Sequence, residues 1–468
     1  MPYSAPTDLR QVSTLSLEGR FSPERLFLLI GPLLYFAYAL LTPPFQTPDE
    51  HQHLFRAWQL SEGQLFGERQ GKAAGGILPA SLAEAALPEV GSLKPHFDNR
   101  PVVHRSLSEA LNQATRIQSG APDRFYDFRG AVIYSPASYL PQVAAISVGR
   151  VGGLSVENIV RLGRMLNATL AIFLIYWALR LAPVGRSALL FVALLPMTAA
   201  TSASFGQDGL VIGGSCLLVA VGLRNLFGQP PQLANIVIST AVAIPLALCK
   251  VFYLPLALVG GQPLVAGKLQ LRRLWPWLAL CAVAGALAII WLRANAGVVV
   301  APWPDIPPGV SRIGDALRHP MTFPTVLEHT YVDHGLVLFD SLFEFGWLNV
   351  PSGSIAAFLT AVGCGLVVVA GDPAAIQLKW STRAWLIGSA MASALLVSLA
   401  AWIYGTPGRM DSIFGLQGRY FIPLAPPLLI AILPARKSAS SFAKFVPPLM
   451  IGANLLVLAA IVRAFYSF

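Results

Sequence analysis

Charge is what this chain has least of. Asp, Glu, Lys and Arg make up 12% of its 468 residues while hydrophobic types supply 55%, and soluble domains carry about a quarter charged residues. The shortage excludes an ordinary soluble enzyme. It implies an integral membrane protein in which each remaining charge beside an apolar run marks either topology or a site. Cysteine is equally sparse: Cys216, Cys249, Cys281 and Cys364 lie inside or at the edge of apolar runs, with no pair at metal-ligand spacing. That argues against disulfides and a zinc site. There is no basic patch interleaved with aromatics, so the net charge of +10 requires no nucleic acid. Cytoplasmic basic loops, with attraction to anionic lipids or a phosphate-bearing substrate, account for it. No internal repeat stands out, which weakens an inverted-repeat transporter. The first apolar run lacks a small-residue cleavage site and reads as a retained signal anchor.

What is present is a series of apolar runs of membrane-spanning length, near 25–43, 162–181, 186–203, 209–227, 233–249, 251–266, 274–294, 353–371, 384–404, 419–434 and 445–466. They predict an all-α integral membrane protein with about eleven transmembrane helices. Basic residues fall in alternate short loops, among them Arg25, Arg180, Arg186, Arg224, Lys268, Lys379, Arg383 and Arg436. Placed inside, they put the N-terminus in the cytoplasm. The parity requires that the run at about 136–151, which holds Pro136, Pro141 and Arg150, lie along the interface as a juxtamembrane helix. A large first external loop then covers 44–161 and a second covers 295–352, within one membrane domain. Ser81-x-x-Glu84 and Ser106-x-x-Glu109 have capping-box spacing, and Leu107, Ala110, Leu111, Ala114 and Ile117 recur at helical intervals, so the first loop is expected to carry amphipathic helices. Prolines 302, 304, 307 and 308 predict an extended start to the second.

The same parity gathers polar residues at the outer face: Asp49, Glu50, His51 and His53, then Asp208, Lys250, and finally Arg409, Asp411, Gln417, Arg419 and Tyr420. Unrelated residues would scatter over both faces, whereas parts of one site must share one. Adjacent carboxylates near hydrocarbon hold protons more tightly, which suits a general base, so Asp49 and Glu50 are candidate catalytic groups; capping or ion pairing is the structural alternative. His51 and His53 are two apart, poor spacing for a shared metal on a helix. Lys250 interrupts an apolar run three residues before Tyr253; it either meets an anion such as a lipid phosphate or snorkels to the headgroups. Arg419 follows Gly418 and precedes Tyr420, where a guanidinium can grip phosphate in a fork or belong to an interfacial aromatic belt. Asp208 is a candidate for a substrate hydroxyl, a divalent cation or a helix cap. Tyr134 is a candidate cavity-lining residue or aromatic anchor.

Taken together, Pro48-Asp49-Glu50-x-x-His53, Tyr134-Ser135-Pro136-x-Ser138-Tyr139, Ser204-x-x-x-Asp208, Lys250-x-x-Tyr253-x-Pro255 and Gly418-Arg419-Tyr420-x-x-Pro423 resemble a widespread bacterial family of multi-spanning proteins, long catalogued as a membrane domain of unknown function. That family looks like a branch of the GT-C superfamily of integral membrane glycosyltransferases. The resemblance implies a bacterial cytoplasmic (inner) membrane location and an active site on the periplasmic or extracellular face. It also implies a polyprenyl-phosphate-linked sugar donor and a lipid-linked glycan or glycolipid acceptor. Carried over, Asp49 is the catalytic base and Glu50 its neighbour. Asp208 is the second acid of the outer cavity, and Lys250 and Arg419 contact the donor phosphate, with His53, Tyr134, Tyr253 and Tyr420 around them. A divalent cation, Mg or Mn, is optional. The chain departs from some superfamily members in having no large C-terminal soluble domain. A polysaccharide polymerase and a lipid-linked glycan flippase or transporter remain alternatives.

Overall fold

The computed structural model describes residues 22–90, 105–106, 108–109, 114–117, 123–228, 233–265, 268–301, 309–408, 410–436 and 441–467. It is mostly helical. The helices in chain order are α1 (Pro23–Leu41), α2 (Glu50–Ser61), α3 (Ala80–Val90), α4 (Leu140–Val151), α5 (Val156–Leu181), α6 (Arg186–Ala193), α7 (Pro196–Ser202), α8 (Asp208–Phe227) and α9 (Leu233–Lys250). They continue with α10 (Leu271–Ala294), α11 (Gly309–Arg318), α12 (Thr322–Glu328), α13 (Gly335–Asp340), α14 (Ser354–Ala370), α15 (Trp380–Gly405), α16 (Ala425–Ile432) and α17 (Val446–Phe465).

Among the described residues, seven helical stretches are long and apolar enough to cross a membrane: Pro23–Leu41, Val156–Leu181, Asp208–Phe227, Leu233–Gly261, Leu271–Ala294, Trp380–Gly405 and Phe442–Phe465. Ser354–Ala370 and Gly418–Ile432 are apolar but shorter. The count is below the expected eleven for three local reasons. Pro196 splits the run 186–203 into α6 and α7, since the residue before proline is driven from helical backbone. Two further runs form helices short of the length a straight crossing uses. Finally, α9 and the 3₁₀ segment Val251–Gly261 together make a single stretch. That stretch is not straight. Lys250 lies against Asp208 at the start of α8, whereas Gly260 receives a hydrogen bond from Asn225 near the end of α8. The chain therefore comes up along α9, breaks at Lys250 (φ −145°) and returns beside α8. Gly222 makes the return fit, because a Cβ there would stand 2.8 Å from the Gly260 nitrogen.

The apolar outer surface agrees with lipid as solvent. Along α10, Trp275, Val283, Ile289 and Ile290 are all exposed, a pattern a soluble helix avoids. The bundle has two distinguishable ends. At one, Glu24 meets Arg180, Asp372 accepts from the Gly185 amide, Arg383 donates to the carbonyls of Leu378 and Ala431, and Arg436 donates to Val369. Basic residues collect there. At the other end stand the start of α2, the start of α8, Lys250 and Gly418–Tyr420.

Beyond this second end lies a separate hydrophobic core of Phe45, Phe55, Trp58, Leu78, Leu82, Phe128, Ile146, Phe205 and Trp347. Most of it belongs to the region expected as the first external loop, joined by Phe205 and by Trp347 of the second, and its secondary structure differs from the helices foreseen. A three-stranded antiparallel sheet forms from β1 (Glu68–Gln70), β2 (Ala73–Leu78) and β4 (Arg124–Asp127) in the order β1-β2-β4. The short strand β3 (Arg105–Ser106) pairs in parallel with β9 (Tyr466–Ser467). Four further two-residue strands make two more pairs: β5 (Leu264–Val265) with β6 (Lys268–Leu269), and β7 (Glu344–Phe345) with β8 (Val350–Pro351). "All-α" is thus corrected to mostly helical.

The expected box at Ser106 forms, with the Ser106 amide on Glu109 Oε2 at 2.7 Å and the Glu109 amide on Ser106 Oγ at 3.2 Å. The one at Ser81 does not, since Ser81 Oγ is buried without a hydrogen-bond partner among the described residues although α3 begins there. Ala114 and Ile117 lie in non-helical chain. Leu107, Ala110, Leu111 and the four prolines of 302–308 fall outside the described residues. The run at 136–151 forms a 3₁₀ turn and the 12-residue α4, about 18 Å long and too short to span. Its Val148 and Val151 are exposed, while Gln142 is buried and donates to the Gly206 carbonyl at 2.6 Å.

Candidate functional site

The loop that ends α1 separates the two adjacent carboxylates. Glu50 opens α2 with a fully buried side chain. Its Oε1 accepts from Arg164 Nε at 2.7 Å and the Phe205 amide at 3.0 Å, and its Oε2 from Arg164 Nη2 at 2.5 Å and the Phe45 amide at 2.7 Å. A carboxylate has about four acceptor positions, and here all four are filled. Arg164 is equally saturated: its remaining donors reach the carbonyls of Ala39, Thr42 and Pro43, orphan acceptors at the end of α1 that a cation suits. Glu50 is therefore corrected from candidate catalytic group to structural anchor, because no lone pair is left to take a proton.

Asp49 behaves differently. It sits at the N-cap of α2 in left-handed backbone, φ 60° and ψ 9°, and its side chain makes no capping bond. An ordinary N-cap Asp is extended and satisfies an amide of the first turn. In the left-handed region, which Asp tolerates better than most residues, the carboxylate is turned away from the helix. It is half-buried and lines a cavity of about 780 Å³, open mouth included.

That cavity is built from segments far apart in sequence. Asp49 and His53 come from α2 and its approach, Tyr134 from the outer layer, Ser204 from the α7–α8 connection and Asp208 from the start of α8, Lys250 from the break after α9, and Arg419 and Tyr420 from the turn before α16. Glu344, Phe345 and Leu348 of the β7–β8 hairpin complete the wall. Lys250 Nζ pairs with Asp208 Oδ1 at 2.7 Å and stands 5.5 Å from the centre of the Tyr420 ring; Arg419 reaches the same ring at 5.5 Å. One aromatic ring thus has two cations near it. Arg419 makes no ion pair among the described residues, and its Nε is buried with no hydrogen-bond partner.

His53 Nδ1 is 2.7 Å from the Tyr139 hydroxyl, which also receives Gln207 Nε2 at 3.0 Å; Gln207 Oε1 in turn meets the Cys249 thiol. Burial holds the imidazole below the usual histidine range, against the opposing pull of Asp49 and Asp208. Burial likewise pushes the Tyr134 hydroxyl up to about 12, so both present uncharged groups at neutral pH.

Of the residues expected at the site, Asp49, His53, Tyr134, Asp208, Lys250, Arg419 and Tyr420 line the one cavity. Glu50 does not. Tyr253 also stays outside: its buried hydroxyl donates to the Tyr420 carbonyl at 2.8 Å, which fixes the turn carrying Arg419 instead of touching a ligand. His51 packs between Phe55 and Trp347. Asp411 is largely exposed near His329, and Arg409 lies outside the described residues.

Arg164, Glu344, Gln52 and Gln207 were not singled out from sequence. Arg164 carried a usable signal, an arginine near the start of an apolar run, which demands a partner. Glu344 carried none. No group of three or more His, Cys, Asp or Glu able to hold a metal ion occurs among the described residues.

The arrangement is a polytopic membrane protein with a charged cavity roofed by an outer layer. Residues 33–428 match the family of predicted membrane proteins DUF2142, and the chain belongs to that family. The matched span contains every cavity residue named above. No curated protein and no solved structure matches the chain.

Proposed function

We propose that the protein is an inverting membrane glycosyltransferase of the GT-C type. It would move a sugar from a polyprenyl-phosphate carrier to a lipid-linked glycan or glycolipid at the outer face of the bacterial cytoplasmic membrane. The observation that carries the reading is the shared cavity, which brings together a half-buried carboxylate, Asp49, and a guanidinium, Arg419, that makes no ion pair and leaves a buried Nε without a hydrogen-bond partner among the described residues. A sugar on a lipid phosphate already has an activated anomeric carbon, so the enzyme must orient an acceptor, take its proton and stabilise the departing phosphate. Asp49 accepts the proton of the acceptor hydroxyl as that oxygen bonds to the anomeric carbon. The carbon–oxygen bond to phosphate breaks on the opposite face, and its electron pair leaves with the lipid phosphate. Arg419 neutralises that charge, with Lys250 beside it. A single displacement inverts the anomeric centre.

The topology proposed with it has eleven crossings and a cytoplasmic N-terminus. Two observations support it: the return of the chain at Lys250, and the collection of basic residues at the end away from the cavity.

The test is transfer by purified protein from a panel of polyprenyl-phosphate sugars to lipid acceptors. Wild type is expected to turn over, and Asp49→Asn to lose at least ~100-fold, in the range of general-base removal. Equal turnover by the two removes Asp49 from the mechanism.

A further inference from the structure

Asp49 is not left to rotate. Its Oδ1 accepts from Gln52 Nε2 at 3.2 Å, and Gln52 Oε1 accepts from the Gly130 amide at 2.9 Å. The second bond fixes the first, because a backbone N–H can only donate. The amide oxygen must therefore face Gly130, and the NH₂ group must face Asp49. Gly130 also cannot acquire a side chain cheaply: a Cβ there would lie 2.5 Å from Gln52 Oε1. The Gly130 turn is itself anchored, since Phe128 is fully buried in the outer core, its amide bonds the Ala74 carbonyl, and Ala131 closes back on it.

A glutamine three residues after an N-cap ordinarily reaches back to the cap's backbone amide; this one holds the cap's side chain. Asp49 Oδ2 has no protein partner among the described residues. From this geometry we infer that Gln52, set by Gly130 of the outer layer, is a positioning residue that immobilises Oδ1 of Asp49 and aims Oδ2 into the cavity. The inference rests on Asp49 being the base.

The test uses the full chain in nanodiscs and compares wild type, Asp49→Asn, Gln52→Leu and Gln52→Glu, with thermal melting as a control for folding. Gln52→Leu keeps the volume and loses the amide. It is expected to lower kcat about tenfold with KM for the polyprenyl-phosphate sugar unchanged. It should also move the acid limb of the pH–rate profile to higher pH, because the charged carboxylate has lost a hydrogen bond. Gln52→Glu keeps an acceptor for Gly130 but sets a second carboxylate against Asp49, and moves the limb further the same way.

Wild-type kcat with an unmoved limb in Gln52→Leu, beside an inactive Asp49→Asn, overturns the positioning role and leaves the function standing. Full activity in Asp49→Asn overturns the positioning role and the assignment of Asp49 as the base together. The carboxylate infrared band that Asp49→Asn removes gives a reading without turnover: its titration midpoint rises in Gln52→Leu if the role is correct, and stays in place if it is not.

Discussion

Asp49 and Glu50 are neighbours in sequence with the same functional group and opposite surroundings. The Glu50–Arg164 pair is a closed account of hydrogen bonds, with every acceptor of the carboxylate and every donor of the guanidinium occupied. The cavity is open: among the described residues, Asp49 has one oxygen held and one without a hydrogen-bond partner, and Arg419 has a buried nitrogen with none. The contrast teaches how to separate structural from functional charge in a membrane protein. Saturation marks the residues that hold segments together, and an unfilled valence beside a cavity marks those that wait for a ligand.

The sharpest way to break this comparison is to remove one member of the closed pair. Glu50→Gln or Arg164→Leu leaves a buried charge uncompensated and should lose about 3–5 kcal/mol of stability, read as a large fall in melting temperature and in folded yield from membranes. A variant of either that melted like wild type would show the pair to be dispensable.

Arg419→Met is the counterpart in the open group. It should melt within a few degrees of wild type while kcat/KM for the lipid-phosphate donor drops about 10²-fold, the scale of losing one charge-stabilising donor. If its melting point fell as far as that of Arg164→Leu, Arg419 would belong with the anchors.

The smallest effect is a pH dependence. Burial depresses the folded-state proton affinity of His53, so its contribution to stability is fully present above the unfolded value of about 6.5 and is lost as pH falls through the lower folded value. Melting temperature should therefore decline between neutral and mildly acidic pH, and His53→Asn should flatten that slope. An unchanged slope would assign the acid sensitivity to other groups.

Much of the cavity was legible from sequence because charge near hydrocarbon is costly and stands out. Asp208, Lys250 and Arg419 each interrupt or open an apolar run, and parity alone put them on one face with Asp49. The division between Asp49 and Glu50 was not legible. It depends on a left-handed backbone at residue 49 and on a partner, Arg164, 114 positions away.

The outer sheet was hidden for a different reason. Ala73-Ala74-Gly75-Gly76 in β2 has neither alternation nor branched side chains, and its pairing with Arg124–Asp127 is decided by contacts to Phe128 and Gln59 that no local pattern announces. The break at Pro196 followed a rule readable in the sequence, yet its consequence for the helix count needed the neighbouring packing.

The pairing of Tyr466–Ser467 with Arg105–Ser106 bears on how the molecule is made. Each residue stands 361 positions from its partner, so the first strand of a growing chain emerges long before the second has been synthesised. The Glu50–Arg164 contact, by contrast, needs only the opening third of the polypeptide. Biogenesis then has a built-in sequence, in which the anchor beneath the cavity is secured early and the seam across its roof is stitched only after the final helix has been inserted.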